Sequence, residues 1–140
     1  MNNYKFEELS EGHEECFQIT VTDNMMERFF EITGDANPLH RDASFARGRG
    51  YEDRVVYGML TSSFFSTLAG MYLPGERSLI HRVETEFPKP VYIGDCITVT
   101  GKIQEINRIF KTIIVKVTIT NQKNEKVCRG KMRIGFLNEK

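Results

Sequence analysis

GMLTSSFFSTLAGMY, residues 58–72, is the stretch from which the architecture follows. Leu60, Phe64 and Leu68 recur every four residues, as do Gly58, Ser62, Ser66 and Gly70. One helix therefore carries a large apolar stripe and a small stripe. Small residues let another backbone approach, so the second stripe is expected to face a sheet or a ligand. At ~1.5 Å per residue the helix would be about 22 Å long. Leu73-Pro74-Gly75 ends it.

Downstream the period changes from four to two. Over 79–87, Leu79, His81, Val83, Thr85 and Phe87 alternate with Arg82, Glu84 and Glu86, and Pro88 and Pro90 stop the run. The same alternation marks 96–106 (Ile97, Val99, Ile103), 111–120 (Ile113, Val115, Val117, Ile119) and 126–136 (Cys128, Met132, Ile134, Phe136). Asn107–Phe110 and Asn121–Asn124 have hairpin length. At ~3.4 Å per residue such strands reach about 35 Å, enough to wrap the helix.

Upstream, Phe17, Ile19 and Val21 share one strand face. Thr22 or Asp23 then caps a helix carrying Met25, Met26, Phe29 and Ile32, which Gly34 stops. Residues 1–13 are polar and acidic and are expected to be loosely ordered. The order predicts an α+β domain over 1–140, an antiparallel sheet curled around one long helix. Such a sheet covers its helix from one side, so a second subunit is expected to complete the structure.

Composition narrows the function. With 140 residues, 40% hydrophobic and 27% charged, the chain can build a core without disulfide or metal staples. Nineteen basic and nineteen acidic residues cancel, which removes the footprint of a general nucleic-acid binder. Cys16, Cys96 and Cys128 are far apart and form no CxxC pair, so neither a disulfide framework nor a metal site is expected. The start, MNNYKFEELSEGHEEC, lacks the pattern of a signal peptide, and no run suits a membrane span. A cytoplasmic protein with no membrane partner is the expectation.

The chemistry concentrates in GDANPLHRDASFARGRGYEDR, residues 34–54. Asn37-Pro38 reads as a cap followed by proline at the first helical position, opening a short helix to about Phe45. Asp35 then lies on the approach and His40 in the first turn, where their side chains can converge. A carboxylate beside an imidazole makes a general acid–base pair. The plainer alternative is an Asx-type turn at Asp35 after Gly34 and a surface histidine at His40. Gly58 opens the long helix, whose unsatisfied N–H groups can hold an anion or a developing oxyanion.

GDANPLHRD, VVYGML, SSFFS, LPG and FPKPVYIGD together resemble the MaoC-like, (R)-specific enoyl-CoA hydratase family, across about residues 30–105. The resemblance implies the hot-dog fold, a sheet wrapped around a long helix, and a homodimer. It implies that Asp35 and His40 activate one water for addition to a trans-2-enoyl thioester, giving the (R)-3-hydroxyacyl thioester, and catalyse the reverse dehydration. Gly58 N–H would be the oxyanion donor, Ser66 would supply a supporting hydroxyl, and Asn37 belongs to the same motif. No cofactor is implied; CoA or acyl carrier protein enters as part of the substrate. One position departs from the pattern: where the family usually has His before Gly-Met, this chain has Tyr57, which would shape the acyl pocket or contact the pantetheine. A hot-dog thioesterase and a non-catalytic acyl-thioester-binding subunit are the alternatives.

Other residues carry less. His81 reads as a packed or interface histidine and His13 as a solvated one. Arg47, Arg49, Arg82 and Lys89 are candidates for contact with nucleotide phosphates, although each alone reads equally as a surface charge. Gly94-Asp95 reads as a turn before the Cys96 strand.

Overall fold

The computed structural model describes residues 1–138. Its strands are β1 (Glu14–Thr20), β2 (Ser78–Glu86), β3 (Cys96–Asn107), β4 (Thr112–Thr120) and β5 (Lys126–Phe136), joined in one antiparallel sheet of order β1-β3-β4-β5-β2. The helices are α1 (Asp23–Thr33), α2 (Pro38–Arg41), α3 (Ala43–Gly48) and α4 (Gly58–Thr67). The α+β architecture expected from the sequence is the one observed.

Alternation builds the inner face of the sheet. Val99 pairs with Ile119, Gly101 with Val117 and Ile103 with Val115 across β3 and β4, and all six are buried. Against this face α4 lays Leu60, Phe64 and Phe65, followed by Leu68 and Ala69, all part of one buried cluster with the strands. The close approach is made by the sheet: a Cβ at Gly101 would stand 2.6 Å from Leu68 Cδ2. The small stripe of α4 has another fate, since Ser66 is exposed and the Gly58 end meets a cavity.

The long helix is also not uniform. Its last turn, Leu68–Tyr72, widens to a π-helical turn, closed by Leu73 N–H donating to the Leu68 carbonyl at 2.8 Å. On β2 the simple alternation fails because pairing with β5 shifts between Ile80 and Arg82. This bulge inserts one residue at His81 and reverses the phase. Ile80 and Val83 thus oppose the buried Ile134 and Met132, while Leu79 opposes Gly135. His81 lies over Gly135 with its side chain exposed, so the expected packing of this histidine is not met within one subunit.

Two further expectations are corrected. Residues 1–13 are held: Phe6 and Leu9 are buried, Asn3 bridges to Gly75, and Asn2 Nδ2 donates to Glu15 Oε1 and the Tyr72 carbonyl. Two apolar side chains in a polar segment suffice to anchor it. The single helix expected from Pro38 to Phe45 is two, because the Asp42 carboxylate accepts Phe45 N–H at 3.1 Å and starts α3 anew. Gly94-Asp95 forms the expected turn, with Gly94 at φ 96° and Asp95 Oδ2 accepting Tyr92 N–H.

Candidate active site

Local capping sets up the site. Thr22 caps α1, and Gly34, at φ 70°, ends it in the left-handed conformation that glycine adopts without strain. The chain then turns at Asp35, whose Oδ1 accepts Asn37 N–H at 3.1 Å. Asn37 in turn caps α2, its Oδ1 accepting Leu39 N–H at 3.0 Å ahead of Pro38. The Asx-type turn is therefore present, and Asn37 serves as a cap. Arg41 clamps α2 to α1 by donating to both Glu27 carboxylate oxygens, at 2.6 and 3.1 Å, while its guanidinium lies 4.3 Å over the Phe30 ring.

His40 is half-buried, and its Nδ1 lies 2.7 Å from the Val55 carbonyl oxygen. A carbonyl only accepts, so Nδ1 carries the proton and Nε2 is left to exchange one with a ligand. Val55 is itself fixed: its N–H donates to the Leu39 carbonyl, it bridges to Tyr92, and the next N–H donates to the Val91 carbonyl. The imidazole is thus oriented by a backbone atom that no sequence motif reports.

No hydrogen bond joins the Asp35 carboxylate to the His40 imidazole among the described residues. Tyr57 links the two instead. Its hydroxyl donates to the Asp35 carbonyl at 2.6 Å, and its ring stacks on that of His40 with centroids 4.2 Å apart. Tyr57 is 2% exposed, and Phe29 packs on it at 4.8 Å. Burial raises the phenol pKa above its ordinary value, opposed by the nearby Arg41 charge, so the hydroxyl stays a donor at neutral pH. Tyr57, expected to shape the pocket or touch pantetheine, sits behind His40 and is not among the residues lining the adjacent cavity.

A cavity of about 260 Å³ opens beside His40. Its apolar wall comes from Val55, Val91, Val127 and Phe87, and its polar elements include His40 and Gly58. Tyr57 provides no side-chain cap to α4. Leu60 and Thr61 N–H donate to the Tyr57 carbonyl, so the N–H groups of Gly58 and Met59 are the ones left available for an acceptor. Phe87 lies just where a Cβ on Gly58 would meet it, at 3.4 Å. Thr61, which the sequence did not single out, also lines the cavity.

The remaining candidates lie elsewhere or are engaged. Ser66 is exposed on the outer side of α4, and Asp35 is exposed on the turn rather than in the cavity wall. Lys89 lines the cavity but pairs with Glu125 at 2.6 Å, which holds the Glu125 carboxyl below its usual value. Arg47 pairs with Asp53, Arg82 with Glu84, and Arg49 sits over Phe45. No cluster of three or more His, Cys, Asp or Glu among the described residues is arranged to hold a metal. No helix among them is long and apolar enough to cross a membrane.

The MaoC like domain family matches residues 7–125. The chain belongs to this family. Within it, the chain is 28% identical over 115 residues to the (R)-specific enoyl-CoA hydratase of Rhodospirillum rubrum, covering 82% of this chain and 80% of that protein. It is 41% identical over 70 residues to the (R)-specific enoyl-CoA hydratase of Aeromonas caviae, a match spanning 50% of this chain and 52% of that one. The unliganded R-hydratase PhaJ1 from Pseudomonas aeruginosa superposes with a TM-score of 0.90 at 25% identity, covering 98% of this chain and 88% of that one. The hot-dog arrangement of this MaoC-like chain is thereby established.

Proposed function

We propose that this MaoC-like protein is a hydro-lyase that reversibly adds water to a trans-2-enoyl thioester of CoA or acyl carrier protein, giving the (R)-3-hydroxyacyl thioester. The observation that carries the reading is the meeting of His40 and the uncapped start of α4 in one cavity. A cavity of about 260 Å³ is smaller than those that enclose whole cofactors, and suits the reacting end of an acyl chain.

In this reading the thioester carbonyl oxygen faces the Gly58 N–H. A water lies between His40 Nε2 and the Asp35 carboxylate, whose Oδ2 has no hydrogen bond to protein among the described residues. Proton loss to the pair accompanies formation of the C–O bond at Cβ. The electron pair of the double bond moves toward the carbonyl, and the enolate-like oxygen is stabilised by the helix start. The pair returns one proton to Cα, which completes the addition of H and OH. No electron leaves the system, so no redox cofactor is required.

Pairing of two copies belongs to the same proposal. β2 is an edge strand that exposes Leu79 and Val83, and the outer side of α4 exposes Met59. An open edge next to apolar side chains favours a second copy as the cover. A cytoplasmic homodimer is the form in which we expect the enzyme to work.

The test is loss of the conjugated enoyl absorbance of crotonyl-CoA, with chiral analysis of product and a free-thiol assay. Asp35→Asn and His40→Gln are each expected to lower turnover roughly 10²–10⁴-fold. Wild-type rates in either folded variant would refute the site assignment. Thiol release without loss of the double bond would identify a thioesterase instead.

A further inference from the structure

Helix α4 carries a hydroxyl that the protein leaves without a partner. Thr61 is 1% exposed, and its Oγ1 is the one buried side-chain nitrogen or oxygen lacking a hydrogen bond among the described residues. Several other helical hydroxyls bond back to their own helix. Thr33 donates to the Phe29 carbonyl at 2.9 Å, Ser62 to the Met59 carbonyl at 3.2 Å and Ser63 to the Leu60 carbonyl at 2.5 Å. That is the ordinary outlet for such side chains. For Thr61 the carbonyl four residues back belongs to Tyr57, which already accepts the N–H groups of Leu60 and Thr61, at 3.0 and 3.2 Å. A carbonyl oxygen has two lone pairs, and both are taken.

The position of this hydroxyl matters as much as its isolation. Thr61 follows Gly58 by three residues, so the two lie on one face of α4, and both line the cavity beside His40. Side chains on a helix tilt toward its N-terminus, which carries the Thr61 side chain over the turn that Gly58 opens. The Gly58 N–H points out of that same end. Val55, Val56, Val91 and Val127 give the wall an apolar part, and Tyr51 and Lys89 line it as well. Valine would fill the space of Thr61 without the penalty of an unsatisfied buried hydroxyl.

We infer that Thr61 is a substrate-contacting catalytic residue whose hydroxyl donates to the thioester carbonyl oxygen beside the Gly58 N–H. The inference rests on the enoyl-thioester reading above and adds a second donor to the oxyanion site. As water adds at Cβ, negative charge grows on the carbonyl oxygen and both hydrogen bonds strengthen. The contribution therefore falls on kcat more than on KM.

Thr61→Val and Thr61→Ser, assayed with crotonyl-CoA and melted without ligand, test it. Thr61→Val is expected to lose on the order of 10²-fold in kcat with KM near that of the wild type. Thr61→Ser should stay within a few-fold of wild type. Unliganded Thr61→Val should melt higher than wild type, because the substitution removes an orphan group from the interior. Wild-type kcat in Thr61→Val would overturn the inference while leaving the hydratase reading intact. A lower melting temperature in Thr61→Val would show the hydroxyl already satisfied, by water or by a second subunit, and would also overturn it. Equal loss of activity in the Val and Ser variants would make Thr61 a packing residue and overturn the inference in the same way. A folded wild type that leaves enoyl thioesters unchanged would instead refute the functional reading itself, and this inference with it.

Discussion

Replacing Tyr57 with Phe removes one hydroxyl at the centre of the candidate site. The ring is retained, and with it the 4.2 Å stack on His40 and the 4.8 Å contact with Phe29. The 2.6 Å bond from the hydroxyl to the Asp35 carbonyl disappears, together with the hydroxyl's interaction with Arg41. A typical internal hydrogen bond contributes about 0.5–1.5 kcal/mol net. Asp35 is exposed, so water can take over its carbonyl, and the cost should fall at about 0.5–1 kcal/mol. For a domain of this size that is a fall in melting temperature of roughly 2–4 °C. The kinetic effect should be larger than the thermal one. Without the hydroxyl, Asp35 keeps only the Asx contact to Asn37 N–H and its own N–H bond to Thr33 Oγ1. A displacement near 1 Å at a reacting group can cost about 10²-fold, so crotonyl-CoA turnover should fall roughly 10- to 100-fold. A melting shift with wild-type turnover would limit Tyr57 to a structural role. Wild-type values in both measurements would refute the claim that this bond positions Asp35. The sign of the pH effect is also set: the folded phenol has a pKa raised above 10.0, so its protonated form is favoured by folding. Stability from this group is full below the unfolded value and declines as pH rises above it. Tyr57→Phe should remove that alkaline loss.

Two more outcomes follow from packing and burial. Alanine at Gly130 would place its Cβ 1.9 Å from the Glu84 carbonyl oxygen, forcing β2 and β5 apart at a cost of about 1–3 kcal/mol or more. Alanine at Gly135 meets only the exposed His81 ring, which can rotate away, so its denaturation midpoint should move much less; equal shifts would contradict this. Burial raises the pKa of the Cys128 thiol, against the effect of its 3.1 Å contact with Thr85, so thiolate is scarce there at pH 8. Mass spectrometry after native iodoacetamide treatment should find exposed Cys16 alkylated first and Cys128 modified only on unfolding. Comparable native rates at the two would show that the core opens.

The repeat of Leu60, Phe64 and Leu68, the alternation in β3 and β4, and the Asn37-Pro38 cap were all readable in the sequence, because each depends on periodicity or on contacts between near neighbours. The GDANPLH motif likewise marked His40. The β2 bulge escaped, since a bulge is defined by a partner strand about fifty residues away. Anchoring of residues 1–13 escaped for a similar reason: Asn2 and Asn3 find their partners at Tyr72 and Gly75. By itself, then, the sequence determined most of the helix and strand segments and singled out Asp35, His40 and Gly58 as candidates. Tertiary structure alone decided what those residues face. It joined Asp35 to His40 through Tyr57, oriented the imidazole on the Val55 carbonyl, and left Thr61 without a partner beside the cavity. The physical reason is that hydrogen-bond satisfaction is a count over every atom within reach, and that count exists only once distant parts of the chain have come together.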